Sequence, residues 1–254
     1  MNLSEKNQRN HYNSIFFKEN YKHENYGSFL MRKEISKNFF LNYSKKKNLG
    51  KVLEIGCGNG MLSQYLKGHY KYFCGVDIAT RAVNFANTKF SEKKKIEFKK
   101  FNICKKISSY EKFDTIIFNS SLHHMPFTEN LFFNIKKFSK KKTLIIFLEP
   151  HSNNKIFQLT RFLRAKLDKS FTEDQQFFVP EKLNLRFEEN GLKILKNEYY
   201  GFLTPAFSEV SFPPEFIFKY FAKLFIIIDR FFYNILPKYI LKFSWIYGTY
   251  CRVK

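Results

Sequence analysis

The chain has 254 residues, 44% of them hydrophobic and 19% aromatic, enough length and apolar content for one domain with a full core and too much for a mainly disordered protein. Ten Gly and seven Pro exclude collagenous, low-complexity and linker-like chains. The formal net charge of +22 invites a polyanionic partner, but the excess is spread along the chain, only 8 of the 44 cations are Arg, and joint enrichment in Lys, Phe, Ile, Asn and Tyr is what A/T-rich codons produce.

The opening MNLSEKNQRN is polar and lacks an apolar h-region, which argues against secretion. Residues 11–47 read as helical, with aromatics at Tyr12, Phe16, Tyr26, Phe29, Phe39 and Phe40, and end in a lysine run before Gly50. Strands follow at 52–55, 72–77, 96–101, 113–119 and 143–149, with helices near 61–67, 80–90 and 128–138 between them. The lysine runs at 93–95 and 140–142 read as solvated loop charges flanking strands. This alternation argues for a parallel sheet covered on both faces. After Pro180 a helix at 181–190 leads through Gly191 into a strand at 192–200, and 246–253 closes the chain as a last strand.

Between those two strands lies a Phe-rich stretch, 203–244, in which 215–236 reads as a helix ended by Pro237. At 100° per residue its Lys219, Lys223 and Arg230 fall within about 40° of one another, leaving Phe216, Phe218, Phe221, Phe225, Ile226, Ile228 and Phe232 around the rest. That apolar surface either buries as core or lies in the interface of an anionic bilayer. No uncharged run approaches the roughly 18–20 residues of a spanning helix. Cys57, Cys74, Cys104 and Cys251 form no CxxC and no zinc-ligand cluster, so neither a disulfide framework nor a metal site is expected. A reducing, cytoplasmic setting fits, with the protein soluble or peripheral to a membrane.

The chemistry concentrates in Val52-Leu53-Glu54-Ile55-Gly56-Cys57-Gly58-Asn59-Gly60, a buried strand with a carboxylate near its end, followed by three alternate glycines. Glycines there let the chain turn sharply and let a ligand approach the backbone at the first strand-to-helix turn. A dinucleotide site would place a small third residue at 61, where this chain has Met, and a P-loop would need Gly-Lys-Ser or Gly-Lys-Thr.

At these residues the sequence resembles the class I S-adenosylmethionine-dependent methyltransferases, and further signals arrive in order. Gly75-Val76-Asp77-Ile78 puts a carboxylate 21 residues after Gly56, where the family holds the ribose hydroxyls; a carboxylate suits this because it only accepts. Phe101-Asn102-Ile103 stands at the adenine position, with Asn102 in place of the usual Asp. Phe113–Asn119 and the following Ser120-Ser121-Leu122-His123-His124-Met125 match the family's fourth strand in its Leu-His-His version, with Asn119 beside the expected sulfonium. Leu148-Glu149-Pro150-His151 ends the fifth strand as in small-molecule and lipid members.

The resemblance implies a doubly wound, Rossmann-like α/β fold with a seven-stranded sheet in the order 3-2-1-4-5-7-6 and an antiparallel last strand. It implies a single domain: an N-terminal helical cap at 1–48, a cofactor-binding core at 49–202, a helical acceptor lid at 203–244 inserted before the last strand, and that strand at 245–254. S-adenosylmethionine is the implied cofactor, held by Glu54, Gly56, Cys57, Gly58, Asn59, Asp77, Ile78, Asn102, Ile103 and Asn119. Glu54 reads either as a partner of the methionine amino group or as a cap of the glycine loop. His123 and His124, with His124 preferred, read either as a general base or as structural histidines; Glu149 is a third candidate for the proton. The Asn/Asp-Pro-Pro-aromatic tetrad of base-amino methylation is absent, since 119–122 reads Asn-Ser-Ser-Leu, so a nucleic-acid acceptor is not expected and a small-molecule, lipid-like or glycan acceptor is. An RNA-binding methyltransferase and an inactive S-adenosylmethionine-binding protein are the alternatives.

Overall fold

The computed structural model describes residues 26–106, 111–155, 178–208 and 215–254, together with Lys6, Arg9, Asn10, Asn13 and Gln158. The part of the N-terminal helical reading before residue 26 lies outside this range apart from those isolated positions. From there α1 (Tyr26–Lys37) runs on into a π-helical turn, Asn38–Tyr43.

The apolar runs form strands because alternate residues can be buried on opposite faces of one sheet. These strands are β1 (Lys51–Ile55), β2 (Tyr72–Asp77), β3 (Ile96–Lys100), β4 (Phe113–Asn119), β5 (Ser139–Pro150), β6 (Leu192–Tyr200) and β7 (Ile246–Val253). They make a sheet in the order β3-β2-β1-β4-β5-β7-β6. The β1, β2, β3, β4 and β5 pairs are parallel, and β7 runs antiparallel to both β5 and β6. This is the fold and the strand order that the sequence implied.

Strand alternation divides the core in two. Val52, Phe73, Ile117, Ile146 and Tyr250 face one layer, where they meet Ile35, Phe39 and Phe40 of the N-terminal segment. Leu53, Ile55, Ile116, Phe118 and Phe147 face the other, against α4 (Glu129–Phe138) and α5 (Pro180–Glu189). Helix α4 starts where Thr128 Oγ1 accepts from the Leu131 N–H at 3.3 Å, with Glu129 in its first turn and Lys136 and Lys137 in its last, each sign matching the helix dipole. Helix α5 opens on Pro180, whose missing N–H would have no helical partner there.

Helices α2 (Leu62–Tyr65) and α3 (Thr80–Phe90) complete the first two crossovers. Between β6 and β7 come α6 (Thr204–Ser208), α7 (Glu215–Ile235) and α8 (Lys238–Leu241). The helix read at 61–67 is the shorter α2, and the largest shift in a strand boundary is at β5, which begins at Ser139, so Lys140, Lys141 and Lys142 belong to the strand rather than to a loop. They stay exposed because the β4–β5 register shifts there, and Thr143 fills the gap by donating to the Phe113 carbonyl at 2.5 Å.

Candidate active site

The site is built at the carboxyl edge of β1, β2, β4 and β5, where a doubly wound sheet keeps its ligands. The turn after β1 is pinned to β2, since the N–H groups of Gly56 and Cys57 both donate to the Val76 carbonyl, at 2.8 and 3.0 Å. Two glycines have distinct reasons. Gly58 has φ +50 and nothing within 4 Å of where a Cβ would stand, so its backbone faces open space. Gly60 is a close-packing position: a Cβ would come within 2.7 Å of Phe98 and 2.9 Å of Ala86.

Asp77 ends β2 and braces this turn. Its Oδ2 accepts from the Gly58 N–H at 2.9 Å and its Oδ1 from the Ala79 N–H at 2.8 Å, while burial raises its carboxyl above the ordinary value. Asn59 Oδ1 accepts from the Met61 N–H at 3.2 Å. Ile78 is half-buried next to Asp77. The β3 exit is tied to the same place by the Phe101 N–H donating to the Asp77 carbonyl at 2.9 Å. There Asn102 Oδ1 accepts from the Cys104 N–H at 2.9 Å, fixing a tight turn, and Ile103 is buried behind it.

Glu54 is buried in β1, one position before the strand's last residue, and its Oε2 has no hydrogen-bond partner. Burial, helped by the nearby Asp77 charge, pushes its carboxyl well above the ordinary range. A buried carboxylate in this state is costly unless a cation meets it. Cys57 is buried too, and burial drives its thiol well up, so it has no thiolate character to offer as a nucleophile.

The turn after β4 supplies the second half of the site. Asn119 is half-buried at the end of β4, opposite Leu148. Ser120 follows at φ +51 and reverses the chain, with its N–H on the Leu148 carbonyl at 2.7 Å. The Ser121 hydroxyl donates to the Ile55 carbonyl at 2.6 Å. The N–H groups of Ser121 and Leu122 donate to Glu149 Oε1 at 3.0 and 2.8 Å, and His123 Nδ1 lies 2.6 Å from Glu149 Oε2. Glu149 is 1% exposed and His123 6%. His124 is half-buried, with its ring centroid 4.0 Å from that of His123.

The two halves touch, because a Cβ on Gly56 would come within 2.5 Å of the Ser121 Cβ and 3.1 Å of the Met125 Cε. Glycine-turn, Asp77 and β4-turn residues are thus brought together at one sheet edge. Two features were not legible. Glu149 organises the whole β4 turn through three hydrogen bonds, and it engages His123 rather than the neighbouring His124; only the Glu149-Pro150 signature at the end of β5 hinted at it. His151 is fully buried against the rings of Tyr199 and Tyr247, and burial lowers its pKa to about 4, so it is a neutral wall of the site's outer end.

The chain is 26% identical over 149 residues to the ubiquinone biosynthesis O-methyltransferase of Coxiella burnetii strain Dugway 5J108-111, a stretch covering 57% of this chain and 64% of that protein. In fold it is similar to magnesium protoporphyrin IX methyltransferase from Synechocystis PCC 6803, with a TM-score of 0.60 at 13% identity over 99% of this chain and all of that one. It is likewise similar to the N-methyltransferase NodS from Bradyrhizobium japonicum WM9, with a TM-score of 0.54 at 14% identity over 87% and 85% of the two chains. The model of the methyltransferase-domain family matches residues 24–197, the span that carries the glycine turn, Asp77, the β4 turn and Glu149, and the chain belongs to that family.

Proposed function

We propose that the protein is an S-adenosylmethionine-dependent methyltransferase acting on an oxygen of a small, phenolic or otherwise lipid-like acceptor. The observation that carries this reading is the contact between two structures at one sheet edge: a glycine turn braced by Asp77 beside an unpaired buried carboxylate, and a carboxylate–histidine pair packed against it through Gly56 and Ser121. The names of the relatives, in ubiquinone biosynthesis and on magnesium protoporphyrin IX, support a small-molecule acceptor.

The residues fit the cofactor. Glu54 Oε2 offers a buried, unpartnered oxygen to an ammonium group, Gly58 leaves backbone surface open, and the Asp77 carboxylate would accept from ribose hydroxyls. Ile78, Asn102 and Ile103 stand where an adenine would lie, and Asn119 stands at the edge between the two halves. When bound, S-adenosylmethionine supplies an electrophilic methyl carbon on a sulfonium.

The chain's own work is then positioning and proton removal. Glu149 only accepts, so the His123 proton sits on Nδ1 and leaves Nε2 with its lone pair. With the cofactor bound, Nε2 would be the group that takes the acceptor hydroxyl's proton during methyl transfer. The buried Glu149 stabilises the resulting imidazolium. Helices α6–α8 form the acceptor lid over this edge.

Thermal shift by S-adenosylhomocysteine tests the cofactor half. Folded-state binding raises the melting temperature by mass action, and Asp77→Ala is expected to lose most of that shift. An unchanged shift in Asp77→Ala, or a larger shift with a nicotinamide dinucleotide, overturns the reading.

A further inference from the structure

Helix α7 divides its residues between two environments. Phe218, Ala222 and Asp229 point inward and are buried. Asp229 accepts from the N–H groups of Phe202, Leu203 and Thr204, and Arg230 makes a two-point ion pair with Glu34 of α1 at 2.6 and 2.7 Å. That fixes which face looks out. On it Tyr220, Leu224, Ile227, Phe231 and Ile235 are 47–67% exposed, and their spacing of four, three, four and four residues makes one continuous stripe along the helix. Tyr239 and Phe243 extend it across α8, at 69% and 57% exposure. So long an exposed apolar stripe is unusual on a protein surface and marks a contact site.

We propose that this stripe is a docking surface for an anionic phospholipid bilayer. Charge selects that occupant. Within 218–243 the cations are Lys219, Lys223, Arg230, Lys238 and Lys242, and the sole carboxylate, Asp229, is buried inward. Lys219 and Lys223 lie along one flank of the stripe, about 80–120° from its centre at 100° per residue, at the level where long side chains reach lipid phosphates while apolar neighbours enter the acyl boundary. A second copy of the chain would set the same lysine-edged stripe against itself with no exposed carboxylate in 218–243 to pair it. Among the described residues no helix is long and apolar enough to cross a membrane, so the contact lies in the interface plane.

The stripe is mechanically joined to the site. Asn154, in the turn just beyond Glu149 and His151, donates to the Phe243 carbonyl at 2.6 Å, and the Trp245 N–H donates to the Gly201 carbonyl at 2.9 Å at the exit of β6. Docking there would bring the carboxyl edge of the sheet to the lipid surface, where an apolar acceptor dissolves. That use rests on the methyl-transfer reading, whereas the docking does not.

Flotation of the full chain with phosphatidylcholine vesicles, with and without phosphatidylglycerol, tests it without cofactor or acceptor. Binding is expected with the anionic lipid and much weaker binding without it. Lys223→Ala and Lys238→Ala should each lower partition about fivefold. Ile227→Ser with Phe231→Ser should lower it about tenfold or more at unchanged melting temperature, since both side chains face solvent; if that pair unfolds, Leu224→Ser gives the same reading. Asp77→Ala should float like the wild type, which separates failure of docking from failure of cofactor binding. No flotation on anionic vesicles, equal flotation on both lipids, partition indifferent to these variants, or self-association that Ile227→Ser abolishes each overturns the proposal.

Discussion

Two carboxylates of the site are buried, and their surroundings make opposite demands on them. Glu149 is fully engaged by two backbone N–H groups and His123, which fixes the orientation of the His123 ring that the proposed reaction uses as a base. His123→Ala is therefore expected to lower kcat by about 10²- to 10⁴-fold with S-adenosylhomocysteine affinity kept. His124→Ala is expected to cost much less; the reverse order, read by steady-state kinetics and calorimetric binding, would return the role to His124. Glu54, by contrast, has an unpartnered buried oxygen and a carboxyl held well above its ordinary 4.5. At this position the folded state thus binds more protons than the unfolded one, so the contribution of Glu54 to stability is fully present below about pH 4.5 and is lost as the pH rises through its raised folded-state value. Glu54→Gln should raise the melting temperature of the ligand-free protein at neutral pH, with the gain vanishing toward pH 4.5, and should reduce the shift given by S-adenosylhomocysteine. A variant that is less stable at neutral pH and binds as well as the wild type would show that Glu54 is only a cap of the turn.

Among the elements, those with a local cause were legible and those with a distant one were not. Strands β2, β4, β6 and β7 and helices α3, α4 and α5 fall within a residue of their sequence boundaries; apolar runs mark the strands, and Thr128 before α4, Pro180 at the start of α5 and Gly191 after it mark those two helices in the chain itself. The start of β5 was misread because three lysines look like a loop, and only the partner strand β4 shows that they continue the ladder across a bulge. Helix α7 was legible as a helix but not in its orientation. Its amphipathicity offered core burial and an exposed apolar face as alternatives, and the structure contains both, one on each side. The pin that decides between them is Asp229, whose partners lie about 25 residues away at the start of α6. Asp229→Ala leaves three backbone N–H groups without their acceptor and should lower the unfolding free energy by about 2–4 kcal/mol in chemical denaturation. A loss below about 0.5 kcal/mol would mean that α7 is held by its apolar face and the Arg230–Glu34 pair alone.

At the scale of the whole molecule, the charge of +22 bears on surfaces and not on the fold. Among the described residues several cations pair with a carboxylate, as Lys51 does with Glu111, Lys140 with Asp114 and Lys196 with Glu198. Alone, the sequence determined where the strands lie: apolar runs mark them, and the period of two along each strand sets which residues face each core layer. These are short-range properties, written in spacing along one strand or one turn. Which histidine receives Glu149, which face of α7 looks outward and which carboxylate is left without a partner were decided only by the tertiary structure. Each depends on groups brought together from 26 to 196 residues apart, and the free energy of burying a polar group is set by the neighbours that meet it there.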